Sequence, residues 1–370
     1  MKNKTAQITA FLLVGMLILI TFGFVYYVAS TMITSKIRTE QTEKIPLEIQ
    51  PVKTYIETCL DGIAKEGLDL IGKQGGYIYQ NQGGMVKCCP IKHEYSDAGG
   101  NKKSFSSDVE EFDSYNSSYW IYALGSLGYV KMPDLEPRII LSWQQAGINF
   151  FVPASPPSIL NQLENFTKLR FSKNCTDLSV FEQFDISKNT EPKVKVNLGR
   201  YDVQFDLTWP IEIKYQGKKT KISSFSVKEN IRLKLIYSLA RNIAFDDARD
   251  IDYHLISDGN SNRYFPSIKI QSKKFSYDII EITDNESILY GKPYILSFIR
   301  ENRIPYTKLK IVNSMVTIEA KDADEDYLTI NDTRFEKIDE TFVWKNAPDG
   351  KHSFIISDQR SKKLIEAEIE

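Results

Sequence analysis

Tyr201-Asp-Val-Gln-Phe-Asp-Leu-Thr-Trp-Pro-Ile-Glu-Ile-Lys-Tyr215 alternates apolar and polar residues along its length. Side chains of a strand point to opposite faces in turn, so this period marks strands with one buried face. Val194-x-Val196-x-Leu198 before it and Lys221 to about Leu233 after it read the same way. Leu198-Gly199-Arg200 and Gln216-Gly217-Lys218-Lys219 supply the turns between them. The stretch is an antiparallel meander that needs a cover on one face, and the neighbouring helical segments are the cover expected. The fold class is therefore α+β, with helices packed on an antiparallel sheet.

Leu235 to Phe245 reads as one covering helix. On the amino-terminal side, Val52, Ile56, Cys59, Leu60, Ile63, Gly67, Leu70 and Ile71 recur at spacings of three and four. They predict an amphipathic helix from about Val52 to Gly72. Ser155-Pro-Pro-Ser-Ile-Leu-Asn-Gln-Leu opens another, with prolines suited to a first turn. Residues 74–155 read as an irregular loop region, in which the short apolar pieces Tyr119–Leu124 and Ile139–Trp143 read as small strands or wedges. Further strands are expected at Ile268–Ile270, Tyr277–Ile282 and Pro293–Ile299.

The amino terminus sets the compartment. From Ala6 to Ile33 no residue is charged, and at about 1.5 Å per residue such a helix exceeds the ~30 Å apolar core of a bilayer. The reading is a cytoplasmic tail (1–5), a transmembrane helix (6–33), a linker (34–50) and an extracytoplasmic body. The lipid bilayer is then the first partner. Lys4-Thr5-Ala6-Gln7-Ile8 resembles the processing site of archaeal pilin-like proteins. That resemblance implies cleavage between Ala6 and Gln7 and, as an alternative function, a filament subunit.

Cys59, Cys88, Cys89 and Cys175 all follow the anchor, and an even number outside the cell suggests disulfides. Two helices that each bring one cysteine can be stapled, which makes Cys59–Cys175 the preferred pair. Sequons at Asn116, Asn165, Asn174, Asn285 and Asn331 permit glycosylation. Lys and Arg total 47 against 48 Asp and Glu, a balance that argues against a nucleic-acid partner.

The tail from 305 to 370 reads as short strands and turns. Val316 to Ile330, Phe342-Val-Trp344 and Gly350 to Asp358 resemble cadherin-like and other immunoglobulin-like repeats. The resemblance implies a β-sandwich spacer or adhesion module behind an ectodomain of residues 51–304. It also implies calcium as a cofactor at Asp322, Asp324 and Asp326, although Tyr327 and Thr333 depart from an EF-hand loop. Cys59-Leu60, Gly67-Leu68, Gly72-Lys-Gln-Gly-Gly-Tyr77 and Cys175 resemble uncharacterised single-pass archaeal surface proteins, which supplies no activity.

Catalytic patterns are not found in the sequence. His93-Glu94-Tyr-Ser-Asp97 lacks the second histidine of a zinc protease, and Gly125-Ser-Leu-Gly128 lacks nucleophile-elbow spacing. Asp246, Asp247, Asp250 and Asp252 crowd a helix end, where the dipole favours cations; a cap for a new helical turn is the structural reading. The expected function is a non-enzymatic surface protein for adhesion, cell contact or envelope structure, meeting a protein or glycan partner. An extracytoplasmic enzyme without a recognisable motif is the third reading.

Overall fold

The computed structural model describes residues 15–16, 18–23, 46–78, 93–96, 102–105, 117–137, 158–188, 190–255, 266–274 and 277–369. The chain divides into two units, Met1–Glu48 and Ile49–Glu370. In the first, residues 15–16 and 18–23 are helical, and the rest of the expected span 6–33 lies outside the described residues. Among the described residues no helix is long and apolar enough to cross a membrane.

A short 3-10 turn, Leu47–Ile49, precedes α1 (Gln50–Lys73), the first helix of the second unit. Pro51 sits in the first turn of α1, where its missing N–H costs nothing. The buried stripe is Val52, Ile56, Leu60, Ile63, Ala64, Gly67, Leu68 and Ile71, close to the predicted face. A hairpin follows, β1 (His93–Ser96) and β2 (Lys102–Phe105), so the residues around His93 are strand and not helix.

The apolar piece Tyr119–Leu124 is a small strand, β3, and it pairs with β4 (Leu127–Val130), which was not expected in the irregular region. Trp120 and Ile121 are fully buried. Trp120 stacks on Phe298 at 4.5 Å between ring centres, and its indole N–H donates to the Gly75 carbonyl at 2.9 Å. That burial outweighs the surrounding glycines and prolines. The Ile139–Trp143 piece lies outside the described residues.

α2 (Ile159–Asn174) starts at Ser158, whose hydroxyl accepts from the Asn161 N–H at 3.2 Å. Ser158→Ala should therefore cost about 1 kcal/mol, read as a small drop in Tm. α1 and α2 pack closely because Gly67 has no side chain: a Cβ there would stand 3.1 Å from both Leu163 and Phe166. Gln162 of α2 is fully buried. Its amide accepts from the Ile78 N–H at 3.0 Å and donates to the Gly76 carbonyl at 3.1 Å.

The predicted meander forms, but its last strand ends at Glu229 rather than about Leu233, and a strand not expected from sequence, Asp185–Lys188, joins it. β5 (Asp185–Lys188), β6 (Lys193–Leu198), β7 (Val203–Tyr215) and β8 (Lys218–Glu229) make one antiparallel sheet. β7 runs unbroken through Pro210 because the register with β8 shifts between Thr208 and Ile211, which removes the need for a proline donor. Positive φ at Gln216 and Gly217 makes the β7–β8 turn the tight hairpin type.

α3 (Leu233–Arg249) is longer than expected at both ends. β9 (Ile268–Lys274), β10 (Asp278–Leu289) and β11 (Lys292–Arg300) complete a five-stranded sheet in the order β4-β3-β11-β10-β9. Only the β3–β11 pairing in it is parallel.

Beyond β11 come β12 (Tyr306–Val312), β13 (Met315–Lys321), β14 (Thr329–Ile330), β15 (Glu336–Ile338), β16 (Thr341–Trp344), β17 (Gly350–Ser357) and β18 (Lys362–Ile369). They form two antiparallel sheets, β12-β13-β16-β15 and β14-β17-β18. Val316, Ile318, Phe342 and Trp344 of the first meet Phe354, Ile356, Ile365 and Ala367 of the second in one apolar cluster. The expected boundary at 304/305 falls inside the compact unit Ile49–Glu370.

Candidate functional site

The most concentrated chemistry in the described residues lies where β11 leaves the five-stranded sheet. Arg300 and Arg303 sit there, both almost wholly buried, as are Asp247, Asp278 and Asp324. Each has a reason to be there. Asp247 continues the buried face of α3, in step with Ala240, Ile243 and Ala244. Asp278 opens β10 opposite Arg300 in the ladder. Asp324 stands in the turn after β13, held by the Asp322 carboxylate, which accepts from the Asp324 and Asp326 N–H groups at 2.8 and 3.0 Å.

The arginines tie these together. Arg300 donates to Asp247 at 2.7 Å and to Asp278 at 2.6 Å. Arg303 donates to Asp324 Oδ1 from Nε at 2.8 Å, to the Asp247 carbonyl at 2.6 Å and to the Ala323 carbonyl at 2.7 Å. Its own backbone N–H donates to Asp324 Oδ2 at 2.6 Å. Arg360, from the β17–β18 turn, completes the set by pairing with Asp278 at 2.8 Å and with Asp326. Burial works against the Arg300 charge, but Asp247, Asp324 and Asp278 outweigh it and hold the group above its ordinary pKa.

This cluster joins α3, β10 and the exit of β11 to the two carboxy-terminal sheets. It also answers the acidic helix end noted in the sequence. Asp247 is not a cap for a new turn; it is buried, and the cations that a helix carboxy terminus favours arrive from Arg300 and Arg303. Asp252 pairs instead with Lys321 at 2.6 Å.

The calcium expectation meets a different arrangement. Asp324 is spent on arginines, Asp326 is held by Arg360, and Asp322 is turned onto backbone N–H groups. Among the described residues no group of three acidic, His or Cys side chains is placed to hold a metal ion. Guanidinium groups balance Asp324 and Asp326.

A second buried ion pair fixes the start of α3. Arg232 donates to both Asp284 oxygens, at 2.9 and 2.5 Å, to Glu286 at 2.5 Å and to Ser267 at 2.7 Å. Its N–H donates to Ser287 at 2.9 Å, so the bulge in β10 between Asp284 and Ile288 is held from outside the sheet. Burial would raise the Asp284 pKa, but Arg232 and Ser287 outweigh it and hold the group below the usual carboxylate range.

A third cluster lies between α1 and β8. Asp61 accepts from Lys65 at 2.6 Å, and the Lys65 amine stands 4.0 Å from Glu229, which is buried. Burial and the neighbouring Asp61 push the Glu229 carboxyl up to about 7.

Cys59 on α1 and Cys175 at the end of α2 form a disulfide, with Cα atoms 6.0 Å apart. It is the pair preferred from sequence, and the two helices that carry it pack side by side at Gly67. Cys88, Cys89, Asn116, Ala6 and Gln7 lie outside the described residues. Asn165, Asn174, Asn285 and Asn331 are exposed; Thr167 and Ser287 of their sequons are buried. His254 pairs with Glu325 at 3.3 Å, and the His352 ring packs edge-on to Trp344 at 5.0 Å. No protein family, curated protein or solved structure matches the chain.

Proposed function

We propose that this is a membrane-anchored, extracytoplasmic protein of non-enzymatic type, serving adhesion, cell contact or envelope structure. The observation that carries the reading is the Cys59–Cys175 disulfide between two packed helices, because such bridges form and persist in oxidising compartments. The uncharged run from Ala6 to Ile33 supports the anchor. The carboxy-terminal sheets support a terminal module of immunoglobulin-like type. They are antiparallel, share one aromatic core around Phe335, Trp344 and Phe354, and are seated on the body through Arg303 and Arg360. In this reading a protein or glycan partner meets the module.

Alkaline carbonate washing of native membranes, followed by intact mass analysis without reductant, tests it. The chain should stay in the membrane pellet and gain about 2 Da per bridge on reduction, as each disulfide takes up two hydrogens. Release into the supernatant with free thiols overturns the reading. A chain that begins at Gln7 moves it to the filament subunit.

A further inference from the structure

An asparagine of a folded chain can receive a saccharide only where its amide nitrogen and the hydroxyl two residues on are both open to solvent, because one enzyme has to reach the two together. The five sequons differ in this respect. Asn165 lies on α2, where side chains two residues apart point about 200° away from each other. Asn165 faces solvent, and Thr167 is fully buried on the other side of the helix. Asn285 is exposed on β10, but Ser287 is fully buried in the bulge. The Ser287 hydroxyl donates to Asp284 at 2.6 Å and accepts from the Arg232 N–H at 2.9 Å.

The Asn174 sequon straddles Cys175, which is fully buried and bridged to Cys59. The Thr176 hydroxyl is turned back onto the Ser172 carbonyl at 2.9 Å. Asn116 lies outside the described residues, and the hydroxyl of its sequon belongs to Ser118, which is fully buried and donates to the Gln74 carbonyl at 3.0 Å.

Asn331 differs from the others on each of these points. It follows β14 in the connection to β15, and both Asn331 and Thr333 are exposed. The Asn331 backbone N–H donates to the Ile355 carbonyl at 3.1 Å, and its side-chain Oδ1 accepts from the Ile355 N–H at 2.8 Å. β17 therefore grips the oxygen side of the amide, and Nδ2 donates to no described residue. Asp332 braces the turn, since its carboxylate accepts from the Arg334 backbone N–H at 3.0 Å and from Arg334 Nε at 2.9 Å. The amide is fixed in direction, with its nitrogen and the Thr333 hydroxyl left open.

We propose that Asn331 is a site of N-glycosylation, modified after the chain has folded, with a saccharide carried on a lipid phosphate as the donor. The proposal rests on the extracytoplasmic reading, which puts this turn on the side of the membrane where such donors are used. In the transfer, Nδ2 attacks the anomeric carbon of the saccharide and a C–N bond forms. The bond from that carbon to the phosphate oxygen breaks, the lipid phosphate leaves with the electron pair, and Nδ2 gives up one of its two protons. The other four sequons stay unmodified, because their hydroxyls are buried or already bonded in the folded chain.

Peptide mapping by mass spectrometry of the full chain, purified from its own membranes, tests this. The peptide that carries Asn331 should be heavier than its sequence by a set of monosaccharide residues, and fragmentation should keep that mass on Asn331. The peptides that carry Asn116, Asn165, Asn174 and Asn285 should have their sequence masses. Thr333→Ala should abolish the added mass with Asn331 still in place, and Thr333→Ser should keep it. A wild-type Asn331 peptide at its sequence mass overturns the proposal. So does a saccharide on any of the other four asparagines, or added mass that survives Thr333→Ala. Labelling intact cells with an amine reagent that does not cross membranes separates the two ways to fail. An unmodified Asn331 in a chain whose body lysines are labelled sinks the site alone. In a chain labelled only after lysis, the extracytoplasmic reading falls with it.

Discussion

Arg303→Ala should lower the unfolding free energy by about 3–5 kcal/mol and Tm by roughly 5–15 °C. Arg303 is about 1 % exposed and donates to the Asp324 carboxylate and to the carbonyls of Asp247 and Ala323. Its removal takes one guanidinium from Asp324, beside which Arg300 stands at 3.2 Å, and strips two buried carbonyls of a donor. The large cost is that of stranded partners and not the worth of the ion pair, because taking both charges out of water was itself expensive. Lys214→Ala gives the contrast. Lys214 and Asp185 are 3.1 Å apart but largely exposed, so solvent screening leaves about 0–1 kcal/mol. Equal losses for the two variants would show that the buried cluster does not hold the carboxy-terminal sheets in place.

Breaking the Cys59–Cys175 bridge should cost about 2–5 kcal/mol. The two cysteines are 116 residues apart, so the bridge closes a long loop and removes much of the freedom of the unfolded chain. Cys59→Ala with Cys175→Ala isolates this bridge from Cys88 and Cys89. Denaturant unfolding of wild type and variant should show a lower midpoint for the variant with little change in fold, because α1 and α2 also meet through Gly67, Leu163 and Phe166. An unchanged midpoint contradicts the prediction.

The local periods of the sequence carried most of the fold. Alternation from Val203 to Tyr215 and the stripe from Val52 to Ile71 both follow from geometry that any strand or helix imposes, so they are visible residue by residue. The parallel pairing of β3 with β11 joins residues nearly two hundred positions apart, and no local pattern announces it. The ionic cluster was half legible. The crowd of aspartates after Phe245 stood out, but its partners lie more than fifty positions away in a stretch that reads as an ordinary polar connection. One signal was present. Asp247 follows Ala240, Ile243 and Ala244 at helical spacing, and a charge that continues an apolar stripe is a charge that needs a buried counter-ion. The aspartates of the 322–326 turn, by contrast, show the limit of spacing alone. Their alternation suits a cation loop, yet Asp324 and Asp326 are paired with guanidinium groups and Asp322 accepts backbone N–H groups.

Labelling of intact cells with an amine reagent that does not cross membranes tests the central claim most directly, that the body faces outward from an anchored amino terminus. Lys218, Lys219 and Lys221 at the β7–β8 turn and Lys362 and Lys363 on β18 should be modified without lysis. Lys2 and Lys4 should be modified only after the cells are opened. Modification of Lys2 and Lys4 on intact cells, or of the body lysines only after lysis, would contradict the account.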